Sequence, residues 1–380
     1  MPHVHLAHNS PPRRLLVRGV NWLGDAVMTT PALEQLRAHW PEAHITLLCP
    51  GHLEDLWSHH PSLNAVIGFK PSETLWSVAG QLRAGQFDAA LVLPNSPRSA
   101  IEAWLARIPR RIGYASRWRR GFLTQRVAPR PDHVEMHKRT EREVRNLTST
   151  RTSAAEPTAI PSQAHQLFDY LHLVAALGAN PAPQPPRLAV TPDEVQAAAR
   201  RLSELRLPQS LTRPEPPVYL GFNPSAAYGP AKRWPAENFA AVIRAVSRRR
   251  TQCVWLAFGG PNDANVCEHV GRLAGVGTIN LAGKTSLREF MALLACCRLL
   301  LTNDSGPMHL TAALGTPVVV PFGSTSPDLT GPGLPGDPRH SLLRSDAPCT
   351  PCFRRSCPID FRCMTGITVE RVLNAVLQSL

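Results

Sequence analysis

The chain has 380 residues, 43% of them hydrophobic, and 41 Lys+Arg against 28 Asp+Glu leave a formal charge of +13. That apolar content excludes a wholly disordered chain, the length suits two domains of ordinary size, and no apolar run approaches the roughly 18 residues of a membrane span. The opening residues hold no apolar stretch ahead of a small-residue cleavage site, so a cytosolic protein is expected rather than a secreted one.

In chain order, residues 15–20 read as a strand and 26–38 as a helix. Residues 45–49, 65–69 and 89–93 read as further strands, with helical stretches at 53–60 and 75–84 between them. Ser96 then offers an N-cap with Pro97 at the first helical position. Residues 130–163 break the pattern with charges followed by Ser, Thr, Ala and Pro, and read as an insertion or mobile loop. A helix at 165–177 ends at Gly178, and the Pro-rich run 181–190 reads as a stiff linker. Thr191 and Glu194 have capping-box spacing, as do Ser286 and Glu289. Beyond the linker, strands are expected at 218–222, 253–258, 278–281, 299–302 and 318–321, alternating with helices at 239–248, 265–274 and 287–296. The expected organisation is an α/β protein with one Rossmann-like domain over 1–180, a second over 191–380, and a ligand cleft between their facing edges.

Several loops stand where a strand turns into a helix. Gly24 permits a tight turn, and Asp25 beside it either caps the following helix or serves as a base; spacing alone does not choose. In TNDSGPMHL the backbone N–H groups of Ser305, Gly306, Met308 and His309 would gather at a helix start, a ready site for an anion. Lys232 and Arg233 follow another strand and suit a diphosphate, although surface exposure is the commoner fate of such a pair. Asp263 in FGGPND either bonds a ribose hydroxyl or caps the next helix. No P-loop and no G-x-G-x-x-G sequence is present, which argues against nucleotide hydrolysis and NAD chemistry.

Taken together, WLGDAVMTTPAL, LVLPNSPRSA, GFNPSAAYGPAKRWP, FGGPND, TNDSGPMHLTAALGTPVV and FGSTSPDLTGP resemble the ADP-heptose:lipopolysaccharide heptosyltransferases of glycosyltransferase family 9, in particular the heptosyltransferase II type. The resemblance implies a GT-B-like arrangement of two facing Rossmann-like domains, with ADP-heptose bound mainly by the second. It also implies an inverting transfer of heptose to the lipopolysaccharide inner core at the cytoplasmic face of the inner membrane. Asp25 matches the expected base. Lys232, Asp304, Ser305, Gly306, Met308 and His309 match the diphosphate site, Asp263 falls near an acidic donor-binding position, and Asn95, Ser96 and Arg98 are candidates for the acceptor. No metal is expected in catalysis, because Lys232 and the helix start supply the positive charge.

Two features lie outside these motifs. Residues 107–130 hold eight Arg and no acid, which suits acceptor phosphates or an anionic bilayer as well as an ordinary solvated surface. Cys349, Cys352, Cys357 and Cys363 crowd into fifteen residues and supply enough ligands for a structural Zn or iron–sulfur cluster; reduced thiols are the alternative. Other functions remain open at this stage: a nucleotide-sugar epimerase on the same architecture, or a basic nucleic-acid-binding protein.

Overall fold

In the computed structural model the described residues are 11–116, 118–149, 160–205 and 216–380. Arg117 of the Arg-rich segment and residues 150–159 of the charged stretch therefore lie outside them. The chain divides into two compact units, one comprising residues up to 133 together with 165–186, the other 134–164 together with 187–380.

The first unit is built on six parallel strands: β1 (Arg14–Arg18), β2 (His44–Pro50), β3 (Ala65–Phe69), β4 (Ala89–Val92), β5 (Arg110–Tyr114) and β6 (Gln125–Val127). Their spatial order is β3-β2-β1-β4-β5-β6. The second unit carries β7 (Val218–Asn223), β8 (Cys253–Ala257), β9 (Thr278–Asn280), β10 (Leu300–Thr302), β11 (Val318–Phe322) and β12 (Ser341–Arg344). Read from the opposite edge, its order is β9-β8-β7-β10-β11-β12. Each sheet thus has the doubly wound 3-2-1-4-5-6 order, whose direction reverses once, between the first and fourth strands. All ten strand pairings are parallel.

Parallel strands covered by helices on both faces must be apolar throughout, which is why β4 (AALV) and β11 (VVVPF) are buried at every position. The helix starts follow the sequence signals closely. Ser96 caps helix Pro97–Leu105 through the Ser99 N–H, and complete capping boxes open helices Pro192–Glu204 and Leu287–Ala295. Each such cap contributes about 1 kcal/mol. The helix expected over 26–38 is instead two, Leu23–Met28 and Thr30–His39, with Thr29 between them in the helical region and Pro31 in the second helix's first turn. Proline has no N–H to donate to residue 27, so the hydrogen-bond ladder is interrupted there.

The described residues of the stretch 130–163 are more ordered than its composition suggests. Residues 141–149 form a helix whose one buried side chain, Val144, packs against Cys349 and Cys352. The Arg139 N–H donates to the Cys352 carbonyl at 3.0 Å and Arg145 Nη2 to the Pro358 carbonyl at 2.9 Å. These contacts join the segment to the second unit, a link made by a single apolar side chain and backbone acceptors that leave almost no trace in the sequence.

One buried ion pair sets the geometry at the reversal point of the first sheet. Arg18, the last residue of β1, donates through Nε to Glu102 Oε2 at 2.8 Å, and both side chains are essentially inaccessible. Glu102 also accepts from Arg98 Nε at 2.9 Å, and Arg18 lies 4.7 Å over the Phe69 ring. The Arg18 Nη1 reaches the Gly19 carbonyl and Asn21 Oδ1, so the same guanidinium holds the loop that leads to Asp25. Removing one partner strands a buried charge. Glu102→Ala is expected to destabilise the protein by about 3–5 kcal/mol, read from urea unfolding, whereas Arg18→Met with Glu102→Leu recovers most of that loss. A double variant destabilised by the sum of the two single-variant losses would mean that the pair is not energetically coupled.

Candidate functional site

The loops at the two reversal points are those picked out by sequence. In the first unit β1 and β4 are neighbours, with Arg18 opposite Val92, so the loops after them emerge side by side. Asp25 sits in the first turn of helix Leu23–Met28, whose N-cap is Trp22 and not Asp25. Tyr170, from helix Leu167–Ala175, is near enough for its phenol to be held protonated, by burial first and then by the Asp25 charge.

After β4, Ser96 is engaged in its cap and Arg98 in Glu102 and the Glu73 carbonyl. Asn95 is oriented by a residue that motif reading passed over. Arg119 is 0% exposed, and its Nη1 donates to the Pro94 carbonyl at 2.5 Å and to Asn95 Oδ1 at 3.2 Å. With Oδ1 accepting, the amide of Asn95 turns its N–H₂ outward as a donor. Burial pulls the Arg119 pKa down to about 10, and its Nε and Nη2 have no hydrogen-bond partner. A Cβ on Gly113 would lie 2.7 Å from Nη2, so the glycine makes room for this cation.

In the second unit β7 and β10 are neighbours, with Asn223 opposite Thr302. Two buried asparagines tie the loops that leave them. Asn303 Oδ1 accepts the Trp234 N–H at 2.9 Å while its Nδ2 donates to the Pro224 carbonyl at 2.8 Å. Asn223 Nδ2 donates to the Phe258 carbonyl and its Oδ1 accepts the Ser225 N–H. Lys232, at the end of a short 3₁₀ turn, is thereby brought to Asp304, with Nζ 2.6 Å from Oδ2 and both side chains largely buried. Thr325 Oγ1 donates to the same carboxylate. Helix Gly306–Ala313 starts immediately afterwards, with Ser305 as N-cap and Pro307 in its first turn. The Ser305 hydroxyl donates back to the Asn303 carbonyl, the Met308 N–H reaches the Ser305 carbonyl, and His309 is buried within the first turn. Lys232, Asp304 and the helix start therefore form one continuous polar surface. Asp263 stands apart from it in hydrogen-bonding terms: its Oδ2 accepts the Gly260 N–H at 2.9 Å and closes the preceding turn, and its side chain makes no cap hydrogen bond to helix Ala264–Ala274.

The four C-terminal cysteines converge as free thiols, Cys349, Cys352 and Cys363 buried and Cys357 partly so. Burial, reinforced by the other three thiols, pushes Cys363 up to about 12. Among the described residues no group of three or more His, Cys, Asp or Glu is spaced to hold a metal ion. The Cys352 and Phe353 N–H groups donate to the Ser324 carbonyl at 3.0 and 2.7 Å, so the loop lies directly against the strand end that carries Thr325.

Against this geometry, the family profile of glycosyltransferase family 9 (heptosyltransferase) matches residues 136–361. Lipopolysaccharide heptosyltransferase 2 of Escherichia coli (strain K12) is 31% identical over 334 residues, covering 84% of this chain and 85% of that protein. Its namesake from Salmonella typhimurium is 30% identical with the same coverage. Among solved structures, E. coli ADP-heptose LPS heptosyltransferase II superposes with a TM-score of 0.71 at 27% identity, over 96% of this chain and 98% of that one. E. coli heptosyltransferase WaaC with ADP shares the fold, with a TM-score of 0.66 at 16% identity, over 97% and 100%. With its two doubly wound sheets and its loops at both reversal points, the chain belongs to glycosyltransferase family 9, the heptosyltransferases.

Proposed function

We propose that this enzyme moves heptose from ADP-L-glycero-D-manno-heptose to a sugar hydroxyl of the lipopolysaccharide inner core, with inversion. The observation that carries the reading is the Lys232–Asp304 pair at the start of helix Gly306–Ala313, a cation and aligned N–H groups on one surface. In a single displacement the acceptor oxygen attacks the anomeric carbon, its proton passes to Asp25, and the bond from that carbon to the diphosphate oxygen breaks. Charge then develops on the departing ADP, where Lys232 and the positive start of helix Gly306–Ala313 stabilise it, the Met308 N–H being engaged by the Ser305 carbonyl. Asp304 holds Lys232 in place, and Asn95, Ser96 and Arg98 form the acceptor side, with the outward amide of Asn95 as hydrogen-bond donor. Asp263 shapes the turn beside the donor loops.

Incubation with ADP-heptose and a panel of truncated inner-core acceptors tests the reaction. A heptosylated product supports the proposal, and an isomerised or free sugar in its place overturns it. Asp25→Asn is expected to slow transfer about 10²–10⁴-fold with ADP binding retained, a loss typical of a missing general base. Turnover near wild type would remove Asp25 from that role.

On this reading the positive end of helix Gly306–Ala313 and the cations of the chain, and not a metal, meet the leaving group. The four cysteines have a structural task on this reading, as free thiols packed together that hold their loop. Dialysis against EDTA is accordingly expected to leave the transfer rate unchanged; loss of activity restored by a divalent cation would contradict the proposal.

The Arg-rich segment supplies the contact with an anionic inner-membrane surface. Trp118 is 74% exposed and Trp104 46%, Trp104 packs edge-on to Phe122 at 5.5 Å, and Arg107, Arg120 and Arg126 are exposed beside them. Amphipathic rings with cations around them suit a headgroup layer, each basic residue adding about 1 kcal/mol. Among the described residues no helix is long and apolar enough to cross a membrane. Arg120→Glu with Arg126→Glu is expected to abolish sedimentation with phosphatidylglycerol-containing vesicles while preserving activity on a detergent-dispersed acceptor. Undiminished sedimentation would exclude this face.

A further inference from the structure

Charge bookkeeping around the donor surface points to a further residue. Lys232 is the obvious cation there, but its Nζ is already 2.6 Å from the Asp304 carboxylate. That pair carries no net charge, while the diphosphate of an ADP-sugar is dianionic. The N–H groups of one short helix contribute only about half an elementary charge. Another cation is needed.

The cysteine loop presents one. Tyr228, in the loop that carries Lys232, has two cations against its ring: Lys232 Nζ at 4.9 Å from the centroid and the Arg355 guanidinium at 5.2 Å. Backbone contacts fix this arrangement. The Tyr228 hydroxyl donates to the Phe353 carbonyl at 2.7 Å, and the Ala231 N–H donates to the Arg355 carbonyl at 3.0 Å. Between them Gly229 adopts φ +152°, and a Cβ there would stand 2.4 Å from the Arg355 oxygen, so only glycine lets the two loops approach this closely. On its other side the cysteine loop is held by the Ser324 carbonyl next to Thr325, whose hydroxyl bonds Asp304.

The guanidinium itself has no counter-ion among the described residues. Among the described residues no carboxylate lies within 4 Å of Arg355, nor of its neighbours Arg354 and Arg139. Arg354 donates through Nη1 to the Arg139 carbonyl, while Arg354 Nε and Arg139 Nη1 are buried without any acceptor. Three arginines are thus gathered beside Lys232 with nothing negative to answer them, and Arg355 is the exposed one.

We propose that Arg355 is a second diphosphate-binding residue, carried to the donor surface by the cysteine loop. Its planar fork can take two phosphate oxygens at once, which the point charge of Lys232 cannot. The loop's buried thiols then have a function that their spacing did not disclose: they hold the platform from which Arg355 reaches the ligand.

The inference rests on the ADP-sugar reading of this site, and titration of ADP and AMP into wild type, Arg355→Ala, Arg355→Lys and Lys232→Ala separates the two. Wild type is expected to bind ADP more tightly than AMP. Arg355→Ala is expected to weaken ADP about tenfold while changing AMP little, with Arg355→Lys in between. The acceptor KM should stay constant while the donor KM rises. An ADP-to-AMP preference unchanged in Arg355→Ala but lowered in Lys232→Ala overturns the role of Arg355 and leaves the donor site standing. Equal weakening of ADP and AMP, with a lowered melting temperature, reduces Arg355 to a structural residue and likewise overturns it. No binding of either nucleotide to wild type would instead bring down the ADP-sugar reading itself.

Discussion

Every loop that carries chemistry in this protein leaves a parallel strand at its carboxyl end, where the sheet no longer supplies partners for the backbone. Buried amides and carbonyls left unpaired there would each cost about 1–3 kcal/mol. The chain meets this constraint with side chains that act as surrogate strands. Asn303 joins the loops after β7 and β10 through Trp234 and Pro224, and Asn223 joins the loop after β8 through Phe258. In the first unit Arg18 does the same for Gly19 and Asn21, with Glu102 compensating its charge. The residues that bear function are consequently held by residues that do not react.

The second organising theme is how each cation is answered. Arg18 and Lys232 are buried against carboxylates, so their charges are spent on geometry. Arg119 is buried against neutral oxygens only, at a cost visible in its lowered pKa. Arg354 and Arg139 retain unanswered N–H groups, and Arg355 stands exposed on an aromatic ring. A net charge of +13 is therefore not spread evenly as solvated surface. Part of it is concentrated where a phosphorylated ligand would neutralise it, and part on an aromatic-rich outer face.

Much of the architecture was legible because it depends on local rules. Apolar runs of four to six residues bounded by Gly and Pro located most of the strands, and Ser96, Thr191 and Ser286 marked helix starts that the structure reproduces. The motif residues were legible for the same reason, since Gly24, Lys232 and Ser305 stand in loops that follow strands which periodicity reveals. Arg18 and Glu102 left a weaker trace, as lone charges inside apolar segments. The C-terminal helix Val369–Gln378 carries a start signal too, Gly366 followed by the N-cap Thr368, but it lies past the last strand-and-helix alternation that the motifs mark. Residues 130–163 read in sequence as an insertion or mobile loop because the attachment of their helix 141–149 is one valine and backbone acceptors supplied from about 200 residues away.

The sequence by itself determined the alternation of strands and helices, the identity of the strand-end loops and the family to which they belong, since these follow from patterns within a few residues of one another. Tertiary structure alone decided which of those residues meet. That Asp304 neutralises Lys232, that Arg119 turns the Asn95 amide outward, and that the cysteine loop delivers Arg355 to the Tyr228 ring are pairings across large sequence separations. They arise from the order of strands in two sheets and from the need to satisfy buried polar groups, and neither is written in the spacing of a motif.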